Sequence, residues 1–327
     1  MTWRLTTFGA VLSVAILALI FLAPISTSQN APTESAAQSS HSIHVDVDLV
    51  IVNVTVTDSR NRIVQGLTQK NFKVWEDKIE QKITSFEKED APISLGIVLD
   101  KSGSMGGRKL RPSGPMSSRL QSLIEEARSS AYSCLRGGLL DDEYFLIEFS
   151  NRAQVVADFT HDLGTLRDRL LFLDAGGSTS LWDAIYAGIA KLQKASHTRK
   201  ALLVLTDGEE NSSRYSLGDV KRSLRESDVR IYTMDNNVDV QFDGLQSLVK
   251  LSGGMNFRGS DPCKALSAEL RGQYVLGYRS TNRSAGGEWR EIRVRMDPAT
   301  LPNVLSDLSV RARAGYYASQ WQFGSSK

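Results

Sequence analysis

ISLGIVLDKSGSM, residues 93–105, is the stretch whose reading decides the fold. Leu95 to Leu99 are apolar or glycine, with no charge among them. Such a run reads as a strand buried on both faces, the kind found at the centre of a parallel sheet. It stops abruptly at Asp100, Lys101, Ser102, Gly103 and Ser104. A carboxylate and two hydroxyls at alternate positions therefore follow the carboxyl end of a buried strand. That is the edge at which open α/β sheets bind ligands. Asp100, Ser102 and Ser104 offer oxygen and neither nitrogen nor sulfur, which suits a hard cation such as Mg²⁺.

Downstream the pattern alternates. Leu120, Leu123, Ile124, Ala127, Ala131, Cys134 and Leu135 fall at helical spacing, with Ser118 and Gln121 as a capping box and Gly137-Gly138 as the stop. Tyr144–Phe149 and Val155–Phe159 read as strands, and Leu163–Leu173 as a helix capped by Asp162. Leu181–Leu192 is a further helix, and Ala201–Leu205 a second buried strand. Ser216–Glu226 and Gly244–Leu251 read as helices, Val229–Met234 and Met255–Phe257 as strands. Asp261-Pro262 opens a last helix. Strand and helix in alternation predict a doubly wound, mostly parallel sheet.

The flanks differ. Between Ile43 and Val56 apolar residues change parity midway, as in a long strand that swaps its apolar face, through a bulge or a change of sheet partner. Short strand-like pieces follow to Phe86, and the pattern returns to β at Gln273–Arg279, Glu288–Met296 and Leu308–Arg313. The α/β domain, residues 92–271, is thus expected to be inserted in a smaller β-rich, sandwich-like module. Residues 43–91 and 272–318 would form that module, with 319–327 as a tail.

Two segments belong with the opening motif. Gly176-Gly177-Ser178-Thr179-Ser180-Leu181 directly precedes a helix. Thr206-Asp207-Gly208 follows the second buried strand, which puts Asp207 on the same sheet edge as Asp100. If the two strands lie near the sheet centre, Asp100, Ser102, Ser104, Thr179 and Asp207 converge. Two carboxylates and three hydroxyls neutralise a divalent cation formally, and Mg²⁺ keeps water where the protein offers no ligand. A carboxylate from another molecule can complete the shell. Glu209 and Glu210 read as the solvated start of a loop, Trp182 and Tyr186 as core or surface helix residues, and Arg108, Lys109 and Arg111 as a solvated loop.

These residues resemble the von Willebrand factor type A domain and its metal-ion-dependent adhesion site, whose pattern is Asp-x-Ser-x-Ser, then a threonine, then an aspartate in a Thr-Asp-Gly-like turn. The flanks are similar to those of the acidobacterial-type VWFA-related proteins at Gly66-Leu67, Asn71-Phe72, Trp75-Glu76-Asp77, Gln273 to Tyr278, and Gly315-Tyr316-Tyr317. The resemblance implies Ser102, Ser104 and Thr179 as hydroxyl ligands, with Asp100 and Asp207 binding directly or through water. It implies Mg²⁺ as the cation, Mn²⁺ or Ca²⁺ being the alternatives, and a protein partner with an exposed acidic residue. The loop 106–117 departs from the family by being longer and more basic.

The chain of 327 residues carries 39 basic against 37 acidic side chains, a net charge of +2, so nothing asks for a nucleic-acid partner. One positive charge at Arg4, an uncharged apolar run from Phe8 to Ala23, then Pro24 and small polar residues form the order of a secretory signal peptide. Residues 1–28 are read as that segment and 29–42 as a tether, which places the protein in the periplasm, at the cell surface or outside the cell. An uncleaved anchor is the alternative, and the only membrane contact expected. Cys134 lies near the end of one helix and Cys263 near the start of another. In parallel crossover helices those ends are ~20 Å apart, so two free thiols are expected. The leading function is an exported, metal-dependent protein-binding or adhesion module without catalytic activity. One alternative is a phosphotransferase or phosphatase using Asp100, although such sites want a second carboxylate where Ser102 stands. The other is a scaffold stabilised by its metal.

Overall fold

The computed structural model describes residues 49–88, 91–106, 108–110, 120–234, 243–257, 262–284, 287–301 and 307–318. The expected signal segment and tether, residues 1–42, lie outside these. The chain opens with β1 (Leu49–Thr57), β2 (Phe72–Glu76), β3 (Ile79–Gln81) and β4 (Ile83–Glu87). The quoted stretch forms β5 (Ile93–Asp100), all eight residues of which are buried. There follow β6 (Arg108–Leu110), β7 (Leu120–Ser122), α1 (Leu123–Arg136), β8 (Glu143–Phe149), β9 (Ala153–Thr160), α2 (Leu163–Leu171) and α3 (Leu181–Leu192). Then come β10 (Arg199–Leu205), α4 (Leu217–Arg225), β11 (Arg230–Met234), α5 (Asp243–Ser252), β12 (Asn256–Phe257) and α6 (Pro262–Arg271). The chain closes with β13 (Tyr274–Arg279), β14 (Trp289–Met296), β15 (Ser309–Arg311) and β16 (Gly315–Tyr317).

The central sheet has the order β12-β11-β10-β5-β8-β9, parallel except for β9. Alternate residues of β5 serve opposite layers. Leu95, Ile97 and Leu99 pack with α1, α2 and α6, while Val98 belongs to the core under α3, α4 and α5. On that second face position 96 must be glycine: a Cβ would fall within 2.2 Å of the Phe145 ring and 2.8 Å of Leu202. The layers are a direct product of burying both faces of a parallel sheet.

Both flanks build the second module. Its two antiparallel sheets run β15-β1-β13-β4 and β16-β14-β2-β3, so each mixes strands from before β5 with strands from after α6. Between them lies a separate core that includes Val52, Val54, Phe72, Val74, Tyr274, Leu276 and Ile292. In β1 one parity, Val50 to Val56, is buried, while Leu49 and Ile51 are 47% and 40% exposed. Ile43 to Asp48, the start of the expected strand, lie outside the described residues; over those described the strand does not swap its apolar face. It changes partner, pairing with β13 over Leu49–Val54 and with β15 over Thr55–Thr57. The two modules are clamped by a buried ion cluster. Glu269 of α6 accepts from Arg311 of β15 (2.6 Å) and lies 3.7 Å from Arg230 of β11, which in turn donates to Thr55 of β1 (3.0 Å).

Two expectations are corrected. The helix expected from Leu120 begins at Leu123, because Leu120–Ser122 pairs as a strand with Arg108–Leu110. The capping box is thereby excluded at Gln121, and Ser118 lies outside the described residues, as does Asp261. The cysteines are not free: Cys134 and Cys263 form a disulfide, their Cα atoms 4.6 Å apart. α6 is not a crossover helix of the central sheet. It follows the two-residue β12 and leads out of the sheet into β13. Its start lies beside the end of α1. The Ser267 hydroxyl is then 3.4 Å from the Gly137 carbonyl, and Arg271 pairs with Asp142.

Alkylation of the unfolded chain without reductant should label neither cysteine in a mass spectrum. Replacing both by serine should lower unfolding free energy by roughly 2–5 kcal/mol in a denaturant titration.

Candidate functional site

The carboxyl edge of the central sheet gathers three loops. Asp100 ends β5 and is fully buried. Its Oδ1 accepts from the Ser102 amide (2.8 Å), which turns the chain sharply after the strand. That turn brings the Ser102 and Ser104 hydroxyls within 3.0 Å of each other. Asp100 Oδ2 accepts from the Thr206 hydroxyl (2.6 Å), which in turn accepts from the Gly208 amide (3.0 Å). The loop carrying Asp207 is thereby fixed to the strand end, as the parallel pairing of Leu205 with Leu99 requires.

The threonine loop is tied in by its backbone. The Gly176 amide donates to the Lys101 carbonyl (2.8 Å), and the Gly103 amide donates to the Gly177 carbonyl (2.9 Å). Thr179 is 1% exposed. Its amide donates to Asn211 Oδ1 (2.8 Å), and its carbonyl accepts from the amides of Asn211 (3.0 Å) and Ser212 (3.1 Å). The loops holding Asp100, Thr179 and Asp207 thus touch one another pairwise. Ser102 is buried, and Ser104 and Asp207 are half-buried.

Several residues that hold this arrangement carry no periodic signal in the sequence. Asn151 accepts at one oxygen from both the amide (2.7 Å) and hydroxyl (2.6 Å) of Ser178. It sits so close that Gly177, at φ +89°, has no room for a side chain: a Cβ would lie 2.7 Å from the Asn151 oxygen. Glu210 is not a solvated loop residue. It accepts from the amides of Ser212 (3.0 Å), Ser213 (2.9 Å) and Trp182 (3.1 Å) and from the Ser213 hydroxyl (2.6 Å), which fixes the start of α3 behind Thr179. A carboxylate at a helix N-terminus also meets the positive end of the helix dipole. Glu209 is exposed. Trp182 is buried in the core, and Tyr186 stacks on Tyr215 with ring centroids 3.9 Å apart. The side chains of Arg108, Lys109 and Arg111 lie outside what is described.

The electrostatics centre on Asp100. Burial pushes its carboxyl up to about 6, hydrogen bonds from Ser102 and Thr206 pull the other way, and the charge of Asp207 adds to the rise. A buried carboxylate with a second one beside it is a site that gains from a cation. Among the described residues no three histidine, cysteine or carboxylate side chains converge. A cation here would depend on hydroxyls, and the all-oxygen donor set fits Mg²⁺ rather than a soft metal. His161 and His197 are at the opposite edge, Nδ1 and Nε2 lying 2.8 Å and 2.9 Å from the carbonyls of Asp142 and Asp141.

The family model of the von Willebrand factor type A domain matches residues 95–267, more than half of the chain. The chain belongs to that family. No curated protein matches it in sequence. Among solved structures it is similar to the conserved hypothetical protein BatB from Bacteroides thetaiotaomicron, at 18% identity and a TM-score of 0.44, covering 54% of this chain and 97% of that one. It is also similar to a von Willebrand factor type A protein from Catenulispora acidiphila, at 10% identity and a TM-score of 0.44, over 85% and 74% of the two chains. A third is the PilB minor pilin from Streptococcus sanguinis, at 16% identity and a TM-score of 0.42, over 56% and 60%.

In this VWA domain the motif residues lie at a strand end, just beyond the strands or just before α3, and their supports lie one hydrogen bond behind them. Glu210→Ala should cost roughly 1–3 kcal/mol of stability in chemical denaturation, because it strips acceptors from half-buried amides. Asp100 gives a pH signature once divalent cations are chelated. The folded carboxyl holds its proton up to about pH 6, the unfolded one only to about 3.8. Between those values the folded state binds the extra proton, so stability falls as pH rises. The total fall is on the order of 3 kcal/mol. Thermal melts in EDTA from pH 4 to pH 7 should show this decline, and Asp100→Asn should flatten it.

Proposed function

We propose that the protein is an exported, non-enzymatic binding module that holds a divalent cation of the Mg²⁺ type at its sheet edge and uses it to capture an acidic side chain of a protein partner. The observation that carries this reading is the burial of Asp100 beside Asp207 with two serine hydroxyls 3.0 Å apart at the same loop. Ser102, Ser104 and Thr179 would supply neutral oxygens, with Asp100 and Asp207 as the charged pair. The bound cation would supply an electrophilic position that a carboxylate from another molecule can fill. Hydroxyl ligands matter here because they leave more of the cation's charge for the visitor than carboxylates would. The domain's own residues do the positioning: Thr206 and the Ser102 amide hold Asp100, and Asn211 holds the Thr179 backbone.

Export is supported by two independent features. The first residues have the basic, apolar, small order of a secretory segment. The Cys134–Cys263 disulfide belongs to an oxidising compartment such as the periplasm or the exterior. Among the described residues no helix is long and apolar enough to cross a membrane.

Calorimetric titration of the EDTA-stripped protein should give one Mg²⁺ or Mn²⁺ site per chain, and Asp100→Ala should remove it without unfolding the domain. Exported proteins captured on the immobilised chain in Mg²⁺ should elute with EDTA and fail to bind the Asp100→Ala variant. Absence of cation binding by the wild type would defeat the reading, and so would capture unchanged by the substitution.

A further inference from the structure

Helix α2 ends on the metal edge with two bare apolar residues. Leu171 is 54% exposed and Phe172 86%, while the next residue, Leu173, turns back into the core at 9%. Burying a phenylalanine is worth about 1.5–3 kcal/mol to a fold, and here that gain is forgone. Exposure alone does not single Phe172 out, since Leu140 is 95% exposed in the turn before β8. Place does. Leu140 sits at the amino edge of the sheet, whereas β9 returns the chain to that edge and α2 carries it back to the carboxyl edge.

From Asp174 to Gly177 every residue is exposed, and the segment is pinned to the candidate metal loop at its far end. The Gly176 amide is bonded to the carbonyl of Lys101, the residue between Asp100 and Ser102, and the Gly177 carbonyl to the Gly103 amide. Gly176 lies four positions after Phe172, at most ~14 Å along an extended chain. A ligand seated over Ser102 and Ser104 therefore has an uncovered aromatic ring within reach, fixed by a rigid helix on one side and a hydrogen-bonded loop on the other. Rigid aromatics with few rotatable bonds are the residues that dominate protein-binding energetics.

We infer that Phe172, with Leu171 beside it, is a second contact point for the partner, which must present an aromatic or large aliphatic side chain close to its metal-seeking carboxylate. This rests on the metal-dependent reading above and adds the partner's second feature. In an extended segment rising ~3.3 Å per residue, ~14 Å is at most about four positions, so the acid and the apolar residue should lie within about four positions of each other. The occupant is thus an acidic segment of a protein carrying an apolar neighbour, and a carboxylate by itself would be bound only at one of two points.

The test uses the full exported chain, immobilised in Mg²⁺, and a random dodecapeptide library released with EDTA. Peptides recovered on the wild type should pair Asp or Glu with a large apolar residue at that spacing. Phe172→Ser should weaken a recovered peptide by about tenfold, the size of an ordinary interface anchor. It should leave Mg²⁺ affinity and melting temperature unchanged, as expected for an exposed position. Leu140→Ser, equally bare at the other edge, should change nothing. Alanine at the peptide's apolar position should weaken wild-type binding but add no further loss to Phe172→Ser, the sign of a direct pairing. Peptides released by EDTA but lacking an apolar preference would overturn the inference and leave the metal reading standing, as would equal affinity for Phe172→Ser. If no peptide is released by EDTA, the metal reading fails and the second contact fails with it.

Discussion

A carboxylate taken out of water must be answered by hydrogen bonds or by charge, and Asp100 is the place in this chain where that demand is sharpest. Its strand is buried on both faces, so the side chain at its end has nowhere to go but into the junction of the loops. One oxygen is answered by the Ser102 amide and the other by the Thr206 hydroxyl. Those two bonds decide where both neighbouring loops begin. The threonine loop is then placed by backbone contacts to the first and by Asn211 of the third. The edge is therefore one mutually braced unit rather than five side chains that happen to be near each other.

The same logic recurs between the modules. Glu269 is 1% exposed and is flanked by Arg230 and Arg311 from two different sheets. Removing it would leave two guanidinium groups without their carboxylate, so the cluster ties α6, β11 and β15 together. Within the sandwich Glu76 plays a comparable part, accepting from the Tyr278 (2.8 Å) and Tyr316 (2.9 Å) hydroxyls and from Ser280 (2.5 Å). Its partners, with Arg290 of β14 among them at 3.4 Å, come from β13 to β16, on the far side of the α/β domain in sequence. Buried carboxylates thus mark the points where distant parts of the chain must meet.

Much of this was legible in the residues. An uncharged run such as Leu95–Leu99 or Ala201–Leu205 can only be a strand covered on both sides, and Leu181–Leu192 has an apolar stripe with the observed boundaries. The candidate metal loops could be placed because they follow such strands or precede such a helix. What stayed hidden has physical causes. Leu120 fits a helical stripe, yet its backbone is claimed by a hairpin partner about ten residues back, which periodicity cannot register. Asn151 and Glu210 act through single hydrogen bonds across loops, and polar loop residues look alike until their partners are known. The cysteine pairing failed on topology: α6 obeys the spacing of a crossover helix but leaves the sheet instead of returning to it.

The sandwich is closed by strands from opposite ends of the polypeptide, with Leu49 opposite Arg279. During vectorial synthesis β1 to β4 therefore emerge long before their partners exist. The intervening α/β layers can assemble in that interval, since their strand pairing and layer packing are internal to the inserted segment, whereas the leading strands carry unpaired edges until β13 to β16 arrive. Such an order makes the early β segment a natural client for a holding chaperone, and it makes truncation near the carboxyl terminus more damaging to the amino-terminal strands than to the domain between them.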